Sequence, residues 1–64
     1  MKVREVIKLI EDHGWVLIRQ RGSHRQFNHA SKPGRVTVPG NLGDEFKPGT
    51  SASVLRQAGL KGSR

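Results

Sequence analysis

Apolar residues near the start of the chain recur at the spacing of a helix. The stripe consists of Val3, Val6, Ile7 and Ile10, which fall on one side of a 3.6-residue repeat. Gly14 follows, and glycine is common just past the end of a helix. The pattern therefore predicts an amphipathic first helix that buries this stripe and ends at Gly14.

The middle of the chain has the pattern of a β-hairpin followed by a third strand. A short apolar run that begins at Trp15 predicts the first strand, and residues 24–29 predict the second. Between them, Gly22 and Ser23 form a two-residue turn with glycine at its first position, as a type II′ turn requires. Residues 35–38 predict a short third strand.

Alternation along the predicted hairpin divides its side chains between two faces. The face expected to cover the core carries Val16, Ile18, Gln20, Arg25, Phe27 and His29. The face expected to be uncovered carries Trp15, Leu17, Arg19, Arg21, His24, Gln26 and Asn28. A β-bulge would invert these assignments. If Trp15 and Leu17 do face outward, they indicate either a protein interface or cover by another part of the chain.

A second helix is predicted near the end of the sequence, with Thr50 or Ser51 as its N-cap and Gly59 as its stop. The order helix, three strands, helix predicts an α+β fold. In this αβββα arrangement, a three-stranded antiparallel sheet carries both helices on one face. We expect residues 1–60 to form one domain and residues 61–64 to be a flexible tail.

Charge and composition narrow the function classes. Twelve Lys and Arg against five Asp and Glu give a net charge of +7, which favours a polyanionic partner, nucleic acid first. An acidic protein or a membrane surface would be attracted by the same field. The lack of cysteine excludes disulfides and thiolate chemistry. No apolar run approaches the roughly 20 residues that cross a bilayer, so we expect a cytoplasmic protein without a membrane partner.

His24 is the main candidate for chemistry, because it shares the uncovered face with Arg19 and Arg21. Metal-free RNA cleavage needs a base for the 2′-hydroxyl, cations for the phosphate and an acid for the leaving 5′-oxygen. Histidine, with an ordinary pKa of about 6.5, suits either proton transfer, and arginine binds phosphate. The simpler interpretation is that His24 closes a turn and that Gly22 only provides backbone freedom. No spacing indicates a metal or another cofactor.

The other two histidines are weaker candidates. His29 is five positions from His24 and points to the opposite face, so an acid–base pair within this strand is not expected. His13, at the end of the first helix, is most simply a favourable charge at a helix C-terminus.

Five short sequence pieces occur in order over almost the whole chain. They are the first helix ending at Gly14, Gly22-Ser23-His24, Val38-Pro39, Gly49-Thr50, and Val54-Leu55 with Gln57-Ala58-Gly59. Together they resemble the HicA toxins of bacterial toxin–antitoxin pairs. The resemblance implies an αβββα fold similar to a double-stranded-RNA-binding domain, in agreement with the order of elements read from the pattern.

The resemblance also implies a function: the toxin of a type II toxin–antitoxin pair, a metal-independent endoribonuclease that cuts messenger RNA and is neutralised by a HicB antitoxin covering its active site. The family's catalytic histidine falls on His24, as general acid or base, and Gly22 and Ser23 carry over as the active-site turn. Charge and register add three candidate RNA-binding residues, Arg19, Arg21 and Arg25. Members often have a histidine or basic residue shortly after Val-Pro, where this chain has Gly40 and Asn41.

Two other interpretations stay open. A non-catalytic RNA-binding module using the same basic face would tolerate loss of His24 and would bind more weakly as salt rises. A purely protein-interacting partner, with its basic face against an acidic protein, would have weak affinity for RNA.

Overall fold

The computed structural model describes residues 1–60. These residues form five elements in the order α1 (Val3–Asp12), β1 (Trp15–Arg21), β2 (His24–His29), β3 (Val36–Val38) and α2 (Pro48–Gln57). The α+β class and the αβββα order predicted from the sequence are confirmed. The predicted tail, residues 61–64, lies outside the described residues.

Helix α1 buries the stripe that its sequence pattern predicts. The residues that face the core are Val3, Val6, Ile7 and Ile10. At the start of the helix, the backbone N–H of Lys2 donates to Oε1 of Glu5 over 2.6 Å. The helix ends at Asp12, and Gly14 follows with φ +95°. That left-handed conformation is the reason a glycine stands just past the helix end.

The three strands form an antiparallel sheet with β2 in the centre. Phe27 of β2 lies opposite Val36 of β3, and both are fully buried together with Val38. These side chains pack against apolar residues of both helices, including Val3, Val6, Ile10, Val54 and Leu55. Both helices therefore lie on one side of the sheet, as predicted. We call this side the covered face and the opposite side the open face.

A β-bulge interrupts β1. Leu17 pairs with Phe27, and the next paired residue, Arg19, lies opposite Gln26. Ile18 is thus an extra residue without a partner on β2, and the alternation of side chains shifts by one at this point. From Arg19 onward the predicted register holds, but before Ile18 the two faces are exchanged.

The predicted faces of Trp15 to Ile18 are therefore wrong. Trp15 was expected to face outward, yet it is 2% exposed in the core, and its Nε1 donates to the carbonyl of Ala58 over 3.2 Å. Leu17 belongs to the same face but stays exposed at the sheet edge. Val16 and Ile18, expected in the core, are 62% and 49% exposed. The bulge is the physical reason, since it reverses the alternation on which the prediction rested.

Helix α2 begins earlier than predicted. Lys47 is its N-cap and Pro48 its first residue, whereas the sequence pattern favoured Thr50 or Ser51 as the cap. Proline is well suited to the first helical position, where the backbone N–H has no partner within the helix. The predicted stop is confirmed, because Gly59 follows the helix with φ +75°.

Candidate active site

The turn between β1 and β2 determines where His24 lies. Gly22 has φ +59°, whereas Ser23 does not have a positive φ, a combination that belongs to a type II′ turn rather than type I′. The side-chain amide of Gln20 donates to the carbonyl of Gly22 over 3.1 Å. Because the turn has two residues, Arg21 and His24 are directly opposed. Their side chains share a face, with Cβ atoms about 4.5–5.5 Å apart.

An open groove of about 260 Å³ lies beside this turn. It is lined by Arg19, Arg21, His24, Gln26 and Thr37. The pairing of the strands explains why these residues lie together, because Arg19 lies opposite Gln26 and Gln26 lies opposite Thr37. We call this site the hairpin groove. Its lining combines two guanidinium groups with one imidazole, and none of the five lining residues is acidic.

A second groove of about 350 Å³ lies between β3 and α2 and adjoins the first. His24 and Thr37 line both grooves. The other lining residues of the second groove are Pro39, Gly49, Thr50, Ser53, Val54 and Gln57. We call it the helix groove. His24 therefore stands at the junction of a basic groove and an uncharged one.

The other two histidines lie near the α1–β1 turn, where His13 is exposed and His29 is partly buried. Nε2 of His29 lies 2.9 Å from the carbonyl oxygen of His13, and Nδ1 of His29 accepts a hydrogen bond from the backbone N–H of Ser31 over 3.0 Å. The His29 ring also meets the Trp15 ring edge-on, with centroids 5.2 Å apart. Since His29 pairs with Trp15 on the covered face, it cannot act together with His24.

The imidazole of His24 is exposed and makes no hydrogen bond to another group within residues 1–60. Both ring nitrogens are thus available to a bound molecule. The described part of the chain contains no group of three or more His, Cys, Asp or Glu side chains that could hold a metal ion. Within the same residues, no helix has the length and apolar character needed to cross a membrane.

Comparison with known proteins assigns the family. A model described as the HicA toxin of bacterial toxin-antitoxin matches residues 3–60. The chain belongs to the HicA toxin family. The resemblance carried by the ordered sequence pieces is thereby confirmed. A search of curated proteins finds no match.

This HicA chain is also similar to a chain of known structure. That chain belongs to a toxin–antitoxin complex from Streptococcus pneumoniae, and the similarity has 31% sequence identity and a TM-score of 0.75. The similarity covers 94% of this chain and 98% of the other. The two chains therefore correspond over nearly their full lengths.

Arg25 is separated from the other candidate arginines of this HicA chain. It lies on the covered side of β2, opposite Val38, and its Nη1 donates to the carbonyls of Gly40 (3.1 Å) and Ser23 (3.4 Å). Arg25 thus ties the turn residue Ser23 to the segment after β3. It also brings a positive charge to Gly40, in the segment where HicA members often carry a histidine or basic residue.

Two residues near the hairpin groove, Thr37 and Arg35, were not predicted from the sequence. Thr37 lies between Val36 and Val38, and because those two share the covered face, alternation alone would have assigned Thr37 to the open face. Arg35, the residue before β3, contacts a lining residue of the groove, because its Nη1 donates to Oε1 of Gln26 over 3.4 Å. The contribution of α2 to the helix groove has no comparable sequence signal, because it depends on how the helix docks beside β3.

Proposed function

We propose that this HicA chain is a metal-independent endoribonuclease that cleaves messenger RNA, with His24 as its general acid or base. The observation that carries the proposal is the exposed His24 imidazole beside Arg19 and Arg21 in one open groove, in a chain of a toxin family. A histidine and non-titrating cations around one phosphate are the groups that metal-free RNA cleavage needs.

In the proposed reaction, the 2′-hydroxyl oxygen of the RNA attacks the adjacent phosphorus. The new O2′–P bond forms as the P–O5′ bond breaks, the 2′-hydroxyl loses a proton and the leaving 5′-oxygen gains one. His24 performs one of these two proton transfers, and water performs the other. The products are a 2′,3′-cyclic phosphate on the upstream fragment and a 5′-hydroxyl on the downstream fragment.

The arginines have different roles in this proposal. Arg19 and Arg21 contact the reacting phosphate and its neighbours, because their guanidinium groups line the groove with His24. Gly22 and Ser23 set the turn that holds Arg21 opposite His24. Arg25 assists RNA binding less directly, through its positive charge and through its hold on the turn carbonyl.

The proposed protein partner is a HicB-like antitoxin that covers the hairpin groove. Support comes from the similar Streptococcus pneumoniae chain, whose structure is a toxin–antitoxin complex. The net charge of +7 favours an acidic antitoxin surface at the contact. Val16 and Ile18 extend this surface, since both are exposed apolar residues that precede Arg19 on an edge strand of the sheet.

The test is cleavage of a labelled single-stranded RNA by the purified protein in excess EDTA, with the fragment ends identified. We expect cutting without a metal and a 2′,3′-cyclic phosphate at the upstream end. An RNA with 2′-deoxyribose on the upstream side of the cut should resist cleavage. A 5′-phosphate on the downstream fragment would contradict the mechanism, because the proposed route leaves a hydroxyl there.

A non-catalytic RNA-binding module is the second candidate. It is favoured by the composition of the hairpin groove, which holds two arginines but only one group able to transfer a proton near neutral pH. Such a module would bind the labelled RNA with an affinity that falls as salt rises, and would leave it intact. The EDTA experiment separates the two candidates directly.

A further inference from the structure

The two grooves that meet at His24 differ in the chemistry they offer. The hairpin groove carries Arg19 and Arg21, whereas the helix groove has no ionisable side chain other than His24 itself. A phosphate needs cations, while a nucleoside is uncharged and presents hydrogen-bonding edges and apolar ring faces. The two grooves therefore match two successive parts of one nucleotide strand.

From this juxtaposition we propose that the helix groove is a nucleoside-binding subsite, which receives the ribose and base next to the phosphate held at His24. The inference rests on the proposed ribonuclease function and deepens it. An RNA strand would pass from the helix groove, over His24, into the hairpin groove. Thr50, Ser53 and Gln57 would contact the nucleoside and so bias which nucleotides are cut.

The polar groups of the helix groove form a stripe along α2. Thr50, Ser53 and Gln57 are separated by three and four positions, a spacing that places them on one side of a helix. Nε2 of Gln57 donates to Oγ of Ser53 over 3.4 Å, and Oε1 of Gln57 accepts from the backbone N–H of Thr37 over 3.4 Å. These bonds orient the carboxamide and leave it one N–H and one lone pair for a ligand.

Space and apolar surface in the helix groove also suit a nucleoside. Its volume of about 350 Å³ lies in the roughly 300–1,000 Å³ range of small-molecule sites. Pro39 supplies apolar surface beside the polar stripe. Gly49 also lines the groove, and a Cβ added at this position would have no heavy atom within 4 Å.

Gly49 offers a way to close the groove without disturbing the fold. Gly49→Leu places a side chain in empty space, at a helical position where leucine is favoured over glycine. The matched control is Gly43→Leu, since a Cβ at Gly43 also meets nothing within 4 Å and Gly43 lines neither groove. Both variants are first compared with the native protein by circular dichroism.

We expect Gly49→Leu to lower kcat/KM for a labelled RNA by about tenfold or more, a typical effect of misfit in a binding pocket. Gly43→Leu should retain the native value. Thr50→Val, which removes a hydroxyl at nearly constant shape, should change the relative cutting of different sites in a mixed-sequence RNA. Native rates and unchanged sites for both Gly49→Leu and Thr50→Val would overturn the subsite while leaving the ribonuclease proposal in place.

A binding measurement tests the subsite independently of cleavage. Each of the four ribonucleoside 3′-monophosphates is titrated into ¹⁵N-labelled native protein, with inorganic phosphate as the control probe. We expect amide resonances of Thr50, Ser53 and Gln57 to shift with the nucleotides and not with phosphate. If this occurs in a protein that cuts no RNA, the subsite stands and the ribonuclease proposal fails. Shifts confined to Arg19–His24 for both probes would overturn the subsite.

Discussion

The two faces of the sheet differ in what their residues do, although both faces are formed by the same short strands. On the covered face, Phe27, Val36 and Val38 are fully buried against the helices. On the open face, Gln26 and Thr37 are their immediate neighbours in the sequence and line the hairpin groove. Because side chains alternate, residues that hold the fold together and residues that form the site follow one another along the chain. Substitutions at two neighbouring positions should therefore have different effects: one lowers the stability of the fold, and the other alters the hairpin groove.

The β-bulge in β1 allows both faces to be used by one strand. Trp15 belongs to the covered face, and uninterrupted alternation would put Arg19 and Arg21 on that face as well. The extra residue, Ile18, reverses the alternation and turns the two arginines to the open face. A buried tryptophan and a basic groove can therefore coexist within seven residues of strand.

Deletion of Gln20 should have the largest effect, because it removes a paired residue of β1 instead of the extra one. Either the shortened strand pairs without a bulge and Arg19 lies opposite Arg25 on the covered face, at a cost of about 3–5 kcal/mol for a buried unpaired charge, or the two-residue turn is lost. Urea unfolding followed by the fluorescence of Trp15 measures the loss of stability. Deletion of Ile18 is the matched control, since the remaining residues keep the pairs observed on either side of the bulge. Equal stability of the two variants would refute the role assigned to the bulge.

The adjacent pair Phe27 and Gln26 tests the faces directly. Phe27→Ala should lower the free energy of unfolding by about 3–5 kcal/mol, enough to unfold much of the population of so small a protein. Gln26→Ala should change it by no more than about 1 kcal/mol, because Gln26 is only partly buried and lies on the open face. Urea titrations of both variants, followed by circular dichroism, make the comparison. A similar loss for both would mean that Gln26 has a structural role.

Substitution of Arg21 should have the smallest of these effects, and it tests whether the open face binds the phosphates of RNA. In a His24→Ala background that prevents cleavage, Arg21→Gln should reduce the slope of log affinity for single-stranded RNA against log salt by about 0.7. The control is Arg4→Gln on α1, which removes the same charge away from the grooves and should leave the slope nearly unchanged. Equal changes for the two variants would indicate attraction by net charge alone rather than contact at the groove.

Local patterns were enough to predict much of the fold and the grouping of four residues that line the hairpin groove. The stripe of α1, the Gly22-Ser23 turn and the alternation of β2 each depend on residues close in sequence. They correctly grouped Arg19, Arg21, His24 and Gln26 on the open face. The same alternation around Val36 and Val38 would also have assigned Thr37 to the open face.

The errors arose where local pattern carries no information. In the run from Trp15 to Ile18 every residue is apolar, so no alternation shows which side faces the core or where a bulge lies. At the start of α2, Pro48 and Gly49 look like a turn, and only the packed helix shows that proline occupies its first position. The helix groove depends on how α2 docks beside β3, a long-range contact.

The central claim, that His24 on the open face performs the chemistry, is tested most directly by comparing two histidines in one assay. His24→Ala and His13→Ala each remove an exposed imidazole, and each is checked by circular dichroism before RNA cleavage is measured in EDTA. We expect His24→Ala to lower the cleavage rate by about 10²–10⁴-fold, whereas His13→Ala should retain the native rate. A folded His24→Ala protein that cleaves as fast as the native one would contradict the catalytic role of His24.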